Sequence, residues 1–287
     1  MNHLLCAVGT HKLPLSLEKE LSQIVRLSTH LPQTSAFSAR WEIHHQVDHH
    51  TREALHKICE RHKIDIGVRR LPHKKIKLAV FDMDSTLIGG EVIDELAKLK
   101  GVGEQVKSIT ARAMNGEIDF TQSLKERVAL LKGLHRHQVL DVHHHLPLNP
   151  GVLKTAQVLR ENGIHTAIIT GGFTFFAEEV RQKLNFHEAH ANTLSFIGDE
   201  LSGLVEGKVI DGQGKRTWME KIAQRLNLTL DEVAAVGDGA NDLPMIKAAG
   251  LGVAYHAKPQ VRIESTCEIT YTSMTTLLDY MDLPHAL

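Results

Sequence analysis

Residues 78–86 decide the fold: Leu78-Ala-Val-Phe81 is followed directly by Asp82-Met-Asp84-Ser-Thr86. Four consecutive apolar residues without alternation are typical of a strand buried on both faces, as in a parallel sheet. Similar apolar runs occur at 166–169, 233–236 and 251–254, and helical patterns occur at 151–162, 174–184, 217–227 and 242–249. This alternation predicts an α/β fold with a doubly wound, Rossmann-like parallel sheet as its core.

An all-helical insert interrupts the alternation at about residues 90–147. Its helical patterns cover 91–100, 103–115 and 120–132. Because the insert directly follows the polar residues at the end of the first core strand, it is expected to form a cap over them. Turn signals at Gly198-Asp199 and Gly203 predict a β-hairpin within residues 190–210, beside the core.

The first 73 residues predict a separate small α/β domain. The expected elements are strands at 4–8, 38–47 and 64–71 and helices at 15–27 and 51–62. Pro72-His-Lys-Lys75 is expected to link this domain to a second one at 74–287. The pattern resembles small ligand-sensing domains of the ACT type, one strand short, and contains no catalytic motif. We therefore expect a regulatory or dimerisation role, the latter implying a homodimer.

Composition narrows the class of protein. The 287 residues carry 33 Lys and Arg against 34 Asp and Glu, so neither a nucleic-acid nor a membrane partner is expected. No apolar run approaches the length of about 18 residues that a membrane-spanning helix needs. The three cysteines, Cys6, Cys59 and Cys267, are too scattered for a disulfide scaffold or a cysteine zinc site. A soluble cytoplasmic protein is expected.

Polar residues follow three of the predicted core strands at the point where each strand ends. Asp82 and Asp84 follow the first strand, Thr170-Gly171-Gly172 the second, and Gly237-Asp238-Gly-Ala-Asn241-Asp242 the third. Open α/β sheets bind ligands outside the carboxyl ends of their strands. These residues are therefore expected to lie together in one site.

The residue types in this predicted site favour phosphoryl transfer. Four carboxylates in one crevice repel one another unless a cation lies among them, and an all-oxygen ligand set suits Mg²⁺. Glycines let backbone N–H groups approach an anion, and Lys215, just before the helix predicted from Thr217, adds a positive charge. Each feature alone has an ordinary structural explanation, such as a turn or a helix cap. Their joint placement at successive strand ends favours catalysis.

These segments resemble the four motifs of the haloacid dehalogenase superfamily, and within it the phosphoserine phosphatase family. The resemblance covers about residues 75–280. It includes Glu91 in Gly-Gly-Glu-Val-Ile-Asp-Glu and the cap segment from Asp119-Phe120 to Arg127-Val. It implies Mg²⁺-dependent hydrolysis of O-phospho-L-serine to L-serine and phosphate, the final step of serine biosynthesis.

The resemblance also implies the chemical roles. Asp82 would be the nucleophile that forms an aspartyl-phosphate, and Asp84 would act first as general acid and then as general base. Magnesium would bind Asp82, the backbone carbonyl of Asp84, and Asp238. Asp242 would orient the groups around the metal or Lys215.

The remaining implied roles concern the substrate. The residues expected to bind it are Thr170, Gly171, Lys215 and Asn241 at the phosphoryl group, Glu91 at the ammonium, Arg127 at the carboxylate, and Phe120, which closes the cap. Thr170 departs from the family pattern, where serine is common, but it keeps the hydroxyl.

Two alternatives stay open. One is another phosphatase or phosphotransferase of the superfamily that acts on a sugar phosphate or a different phospho-amino acid. Glu91 and Arg127 argue against a sugar, because only a zwitterionic head group needs one acid and one base. The other is a non-catalytic amino-acid-sensing module, which the intact Asp82 and Asp84 argue against. No P-loop motif is present, which disfavours nucleotide chemistry of that kind.

Overall fold

An eleven-stranded sheet runs through the structure, a computed structural model that describes residues 2–45, 47–142 and 146–285. In space the strands follow the order β2-β3-β1-β4-β11-β10-β9-β5-β6-β7-β8. The strands are β1 Asn2–Val8, β2 Leu27–Leu31, β3 Ser38–His44, β4 Asp65–Arg70, β5 Leu78–Phe81, β6 His165–Phe173, β7 Glu188–Ile197, β8 Glu200–Glu206, β9 Val233–Gly237, β10 Leu251–Tyr255 and β11 Cys267–Ile269.

Twelve α-helices accompany the sheet within the described ranges. They are α1 Leu17–Ser22, α2 His49–His62, α3 Val92–Lys100, α4 Gly103–Met114, α5 Phe120–Leu130, α6 Arg136–Asp141, α7 Val152–Glu161, α8 Thr174–Leu184, α9 Gly212–Arg225, α10 Leu243–Ala248, α11 Pro259–Glu264 and α12 Thr276–Tyr280. In the described part of the chain, no helix is both long and apolar enough to cross a membrane.

The core is the predicted parallel sheet, in the order β11-β10-β9-β5-β6-β7. Successive side chains of β5 enter the hydrophobic cores on opposite faces: Ala79 and Phe81 pack into one, Leu78 and Val80 into the other. Because helices cover both faces, an unbroken apolar run is what this strand requires. The doubly wound fold is confirmed, and the expected hairpin is formed by β7 and β8.

The cap consists of α3, α4, α5 and α6, of which the short α6 was not predicted. The chain enters the cap after Ile88 and leaves it before Leu148, and these two residues form an isolated β-bridge. The side-chain amide of Asn149 donates to three carbonyls of the entering segment, those of Ser85, Thr86 and Ile88. Ile88, Leu148 and Asn149 therefore hold the two connections to the cap together, and these three residues form the neck of the cap.

The N-terminal strands form an antiparallel sheet in the order β2-β3-β1-β4, with α1 and α2 packed against it. The helix predicted for residues 15–27 is wrong in its second half, since α1 ends at Ser22 and Leu27–Leu31 forms β2. The apolar spacing misled because Val25, in the turn after α1, enters the same core as Leu21. With β2 present, the unit is not one strand short of the βαββαβ pattern.

The N-terminal sheet continues into the core sheet. Gly67 of β4 pairs with Cys267 of β11, and a Cβ on Gly67 would lie 2.5 Å from the Cys267 sulfur. Polar contacts flank this junction: Asp282 near the C-terminus pairs with Arg40 and lies 2.6 Å from His73 Nε2. All three cysteines are free and buried.

Candidate active site

Asp82 and Asp84 lie at the carboxyl end of β5, in the centre of the sheet. The backbone N–H of Asp82 donates to Val236 O at 2.9 Å, which fixes the start of this segment against β9. Both carboxylates are buried, at 5% and 9% exposure. Asp82 Oδ1 accepts from the N–H of Met83, and Asp84 Oδ1 accepts from the N–H of Val92 at the start of the cap.

Lys215 is fully buried beside the first of these carboxylates. Its Nζ lies 2.8 Å from Asp82 Oδ1 and 2.6 Å from Asp242 Oδ1. Burial alone would lower its pKa, but the charges of Asp242 and Asp82 outweigh that effect and hold the pKa above its usual value. The ammonium is therefore charged in this site at neutral pH.

The helix that carries Lys215 starts earlier than its sequence pattern indicates. The prediction from Thr217 is wrong, because α9 begins at Gly212 and Lys215 lies inside it. Glycine is a poor helix former, so Gly212 and Gly214 concealed the start. The side chain of Asp211 caps the helix by accepting from the N–H of Gly214 at 2.7 Å.

Three carboxylates form the acidic cluster of the site. Oxygens of Asp82, Asp238 and Asp242 lie within 4.8 Å of one another, a group that could hold a metal ion. Asp242 is already engaged, since Oδ1 accepts from Lys215 and Oδ2 accepts from the N–H groups of Asp238 and Gly239. Asp82 and Asp238 thus have more capacity to bind a cation than Asp242 has.

The pKa values of this region reflect negative charge that is not neutralised. Burial, together with the charges of Asp82 and Asp242, raises the pKa of Asp238 to about 8. Burial and the charges of Glu91 and Asp82 raise the pKa of Asp84 well above its usual value. A bound divalent cation would offset this repulsion, so the donor set fits a metal that prefers oxygen ligands.

Gly171 and Gly172 lie within the last part of β6, not after the strand as predicted, and they permit close approach by two neighbours. A Cβ on Gly171 would lie 2.7 Å from the ring of Phe120, and a Cβ on Gly172 would lie 2.5 Å from Asp84 Oδ2. Thr170 is buried, and its hydroxyl oxygen accepts from the N–H of Gly172 at 2.9 Å. The structure therefore brings the cap residue Phe120, this segment and Asp84 together.

Glu91 is exposed and directly precedes α3, the first cap helix. Its Oε1 accepts from the hydroxyl of Ser85 at 2.8 Å. Desolvation by the surrounding protein and the charge of Asp82 raise its pKa, while the Ser85 hydroxyl and the charge of Arg127 act in the opposite direction. Glu91 therefore shares one electrostatic environment with Asp82 and Arg127.

Arg127 is half-buried on α5, and among the described residues only its Nε has a hydrogen bond, to Ser123 O at 3.3 Å. Within the described ranges, no carboxylate lies within 4 Å of its guanidinium. A surface pair with a neighbour is not formed, because Glu126 binds Arg112 and Asp119 caps α5 through the N–H of Gln122. The terminal nitrogens of Arg127 thus keep their capacity for an anion.

Comparison with known proteins identifies the family. Residues 76–250 match the family described as haloacid dehalogenase-like hydrolase. The chain belongs to this family. The phosphoserine phosphatase of Haemophilus influenzae is 41% identical over 221 residues, which cover 76% of this chain and 70% of that protein.

Solved structures of haloacid dehalogenase-like hydrolases resemble this chain as well. The family hydrolase t0658 of Salmonella enterica serovar Typhi has a TM-score of 0.88 at 28% identity and covers 98% of both chains. A phospho-aspartyl intermediate analogue of phosphoserine phosphatase has a TM-score of 0.68 at 40% identity and covers 72% of this chain and 99% of its own. The first match includes the N-terminal region, and the second does not extend over the whole chain.

Three polar residues around this haloacid dehalogenase-like site had no assigned role in the sequence analysis: Thr86, Asn149 and Asn192. The hydroxyl of Thr86 donates to Asp238 Oδ1 at 2.9 Å. Asn192 is buried within β7, and its side chain donates to the carbonyl of Gly171 in the last part of β6. Asparagine is unfavourable inside a strand, so its presence at position 192 was the feature of the sequence that could have pointed to a role for this residue.

Asn241 lies beside the acidic cluster in the short 3-10 helix Ala240–Asp242. A Cβ on Gly239 would lie 2.2 Å from its side-chain oxygen, and a Cβ on Gly212, at the start of α9, would lie 2.8 Å from its carbonyl oxygen. The structure thus brings all the residues of the sequence-predicted site to one region, on the core or on the cap facing it.

Proposed function

We propose that this chain is a phosphoserine phosphatase that hydrolyses O-phospho-L-serine to L-serine and phosphate. The observation that carries the proposal is the pair Glu91 and Arg127, which present opposite charges beside a buried site containing Asp82 and Asp84. A zwitterionic amino acid has a complementary ammonium and carboxylate, whereas a sugar phosphate has neither. The 41% identity to a phosphoserine phosphatase supports the same substrate.

Asp82 is the proposed nucleophile. Lys215 and the N–H of Met83 both bind Oδ1, while Oδ2 accepts no hydrogen bond from the described residues. Oδ2 would attack phosphorus, forming an aspartyl-phosphate as the bond from phosphorus to the serine oxygen breaks. Lys215 holds the carboxylate in orientation and adds positive charge where the phosphoryl oxygens would lie.

Asp84 is the proposed general acid and base. Its raised pKa favours the protonated carboxyl, and that proton would pass to the departing serine oxygen. The resulting carboxylate would then take a proton from the water that attacks the aspartyl-phosphate. The hydrogen bond from the N–H of Val92 to Oδ1 leaves Oδ2 for this exchange.

Magnesium is the proposed cofactor, held by Asp82, Asp238 and the backbone carbonyl of Asp84. When bound, it would supply charge stabilisation for the phosphoryl oxygens. Asp242 would not be a ligand: it orients Lys215 and the segment that carries Asp238.

The proposed contacts with substrate divide between core and cap. The hydroxyl of Thr170, the N–H of Gly171, Lys215 and Asn241 would bind phosphoryl oxygens. Glu91 would bind the ammonium and Arg127 the carboxylate. Phe120, which contacts Gly171 in this structure, would exclude water once substrate is bound.

The test is release of inorganic phosphate in the presence of Mg²⁺. Phosphoserine is compared with phosphothreonine and several sugar phosphates at equal concentration. We expect kcat/KM for O-phospho-L-serine to exceed that for every sugar phosphate. Equal values, or a preference for a sugar phosphate, would contradict the proposed substrate.

We propose that residues 1–73 form a domain separate from residues 74–287, with the cap at about 90–147. A hydrophobic cluster built almost entirely from residues 5–68 supports the division. A regulatory or dimerisation role is proposed for the first domain, and analytical ultracentrifugation tests for the homodimer. The cytoplasm is the proposed location, because three free buried thiols suit a reducing compartment.

A further inference from the structure

The last part of β6, from Thr170 to Gly172, leaves the regular ladder at the active site. Ile169 pairs with His190, but the next pair is Phe173 with Asn192, so four steps along β6 match two along β7. None of Thr170, Gly171 and Gly172 is paired with a residue of β7. A bulge of this kind aims backbone groups out of the sheet, and its polar groups need other partners.

The side chain of Asn192 supplies one of those partners. Its Nδ2 donates to Gly171 O at 2.8 Å, and only 2% of the residue is exposed. The Asn192 backbone is itself held in place, because its carbonyl accepts from the hydroxyl of Thr174 at 3.0 Å. The carbonyl of Gly171 is therefore fixed by a rigidly placed amide.

The other end of the same amide reaches a second active-site element. Asn192 Oδ1 accepts from the N–H of Ile210 at 2.8 Å. Ile210 directly precedes Asp211, which caps α9, and Lys215 follows in that helix. One buried side chain thus joins the segment that contains Gly171 to the start of the helix that contains Lys215.

We propose that Asn192 is a positioning residue that sets the distance between Gly171 and Lys215, and thereby the affinity of the site for a phosphoryl group. This inference rests on the proposed function only in naming Gly171 and Lys215 as phosphoryl contacts. Asn192 itself would touch neither substrate nor metal. Its side-chain amide provides a donor for the carbonyl of Gly171 and an acceptor for the N–H of Ile210.

The test is Asn192→Leu, which keeps the number and branching of the side-chain heavy atoms, at a larger volume, and removes both hydrogen bonds. The matched control is Asn162→Leu, because Asn162 also donates to one carbonyl, that of Val158, but at the end of α7. The dissociation constant for inorganic phosphate is measured by calorimetry with Mg²⁺ present, and KM and kcat are measured for O-phospho-L-serine. Circular dichroism and the melting temperature report folding.

Asn192→Leu is expected to weaken phosphate binding about tenfold and to raise KM, since the buried N–H of Ile210 and the half-buried carbonyl of Gly171 lose their partners. The control should change both by less than twofold. If Asn192→Leu does not fold, Asn192→Asp at pH 8.5 replaces it, because an ionised carboxylate accepts from Ile210 but cannot donate to Gly171. A folded variant that binds phosphate as tightly as the control would overturn the inference.

The outcomes separate this inference from the proposed substrate. Weakened phosphate binding in a chain that does not hydrolyse phosphoserine would support the positioning role and contradict the substrate. If the unaltered chain hydrolyses phosphoserine and Asn192→Leu binds phosphate as tightly as before, the substrate is supported and the positioning role is contradicted. Failure of the unaltered chain both to bind phosphate and to hydrolyse phosphoserine would contradict both.

Discussion

Replacing Arg127 by alanine tests the choice of substrate most directly. The guanidinium is half-buried, its terminal nitrogens are unpaired among the described residues, and it lies in the same electrostatic environment as Glu91. A substrate carboxylate would complete a charge-assisted pair in this partly desolvated position, worth about 2–4 kcal/mol. At 1.4 kcal/mol per factor of ten, Arg127→Ala should lower kcat/KM for O-phospho-L-serine about 30- to 700-fold.

The assay compares two substrates within each variant. Phosphate release is measured with O-phospho-L-serine and with a small phosphate ester that lacks a carboxylate, so a general loss of stability cancels in the ratio. The control is Arg112→Ala on the same cap, because Arg112 pairs with Glu126 at 2.9 Å and is 42% exposed. Exposed pairs contribute at most about 1 kcal/mol, so this control should leave the ratio unchanged.

Equal losses for the two substrates in Arg127→Ala would refute the reasoning. They would mean that the arginine supports the cap and does not recognise a carboxylate. No loss for either substrate would equally remove Arg127 from the site. In both cases a different phosphate ester would have to be considered as the substrate.

Four further predictions concern the nucleophile, the metal and the domain junction. Asp82→Asn should lower kcat at least about 10³-fold without unfolding the chain, because the amide cannot attack phosphorus; more than roughly a tenth of the original kcat would contradict this. EDTA should abolish activity and Mg²⁺ restore it, with Ca²⁺ supporting little. Because the pKa of Asp238 is about 8, Mg²⁺ affinity measured by calorimetry should rise as pH approaches 8 and then level off, and a flat profile from about pH 6 to 9 would be inconsistent with this site. Asp282→Asn should lower the free energy of unfolding by about 1–2 kcal/mol at pH 7, because His73 and Arg40 lose an anion. Burial acts to raise the pKa of Asp282, but those neighbours lower it overall, so the difference should shrink as urea titrations move below about pH 4, and growth of the difference in acid would refute the assignment.

The core of the fold was predictable because its strands are buried on both faces. An unbroken apolar run such as residues 78–81 is typical of a strand in the interior of a parallel sheet. The polar residues after the run then lie at the edge of the sheet where ligands bind. The approximate location of the site followed from strand order alone. Contacts that depend on tertiary structure did not follow, since the bonds of Asn192 join segments 18 and 21 residues away.

The errors in secondary structure have local causes. Periodicity of apolar residues cannot distinguish a helix from a helix followed by a turn when both bury the same face, as Leu21 and Val25 do after α1. The early start of α9 was hidden by Gly212 and Gly214, whose low helix propensity is offset by the cap at Asp211. In both regions, tertiary contacts or a single capping side chain outweighed the average preference of the residues.

The tied neck of the cap has a consequence for the order in which substrate groups are recognised. Ile88 and Leu148 are bridged, and Asn149 binds the carbonyls beside them, so a movement of the cap that keeps these contacts would be a rotation about this base and not a slide across the core. In such a rotation, the residues near the base of the cap move least. Glu91, three residues beyond Ile88, would keep its position in every orientation of the cap, whereas α5 would travel with it. The ammonium group of an arriving zwitterion would therefore find Glu91 already in place. Binding of the zwitterion's carboxylate by Arg127 would coincide with closure of the cap.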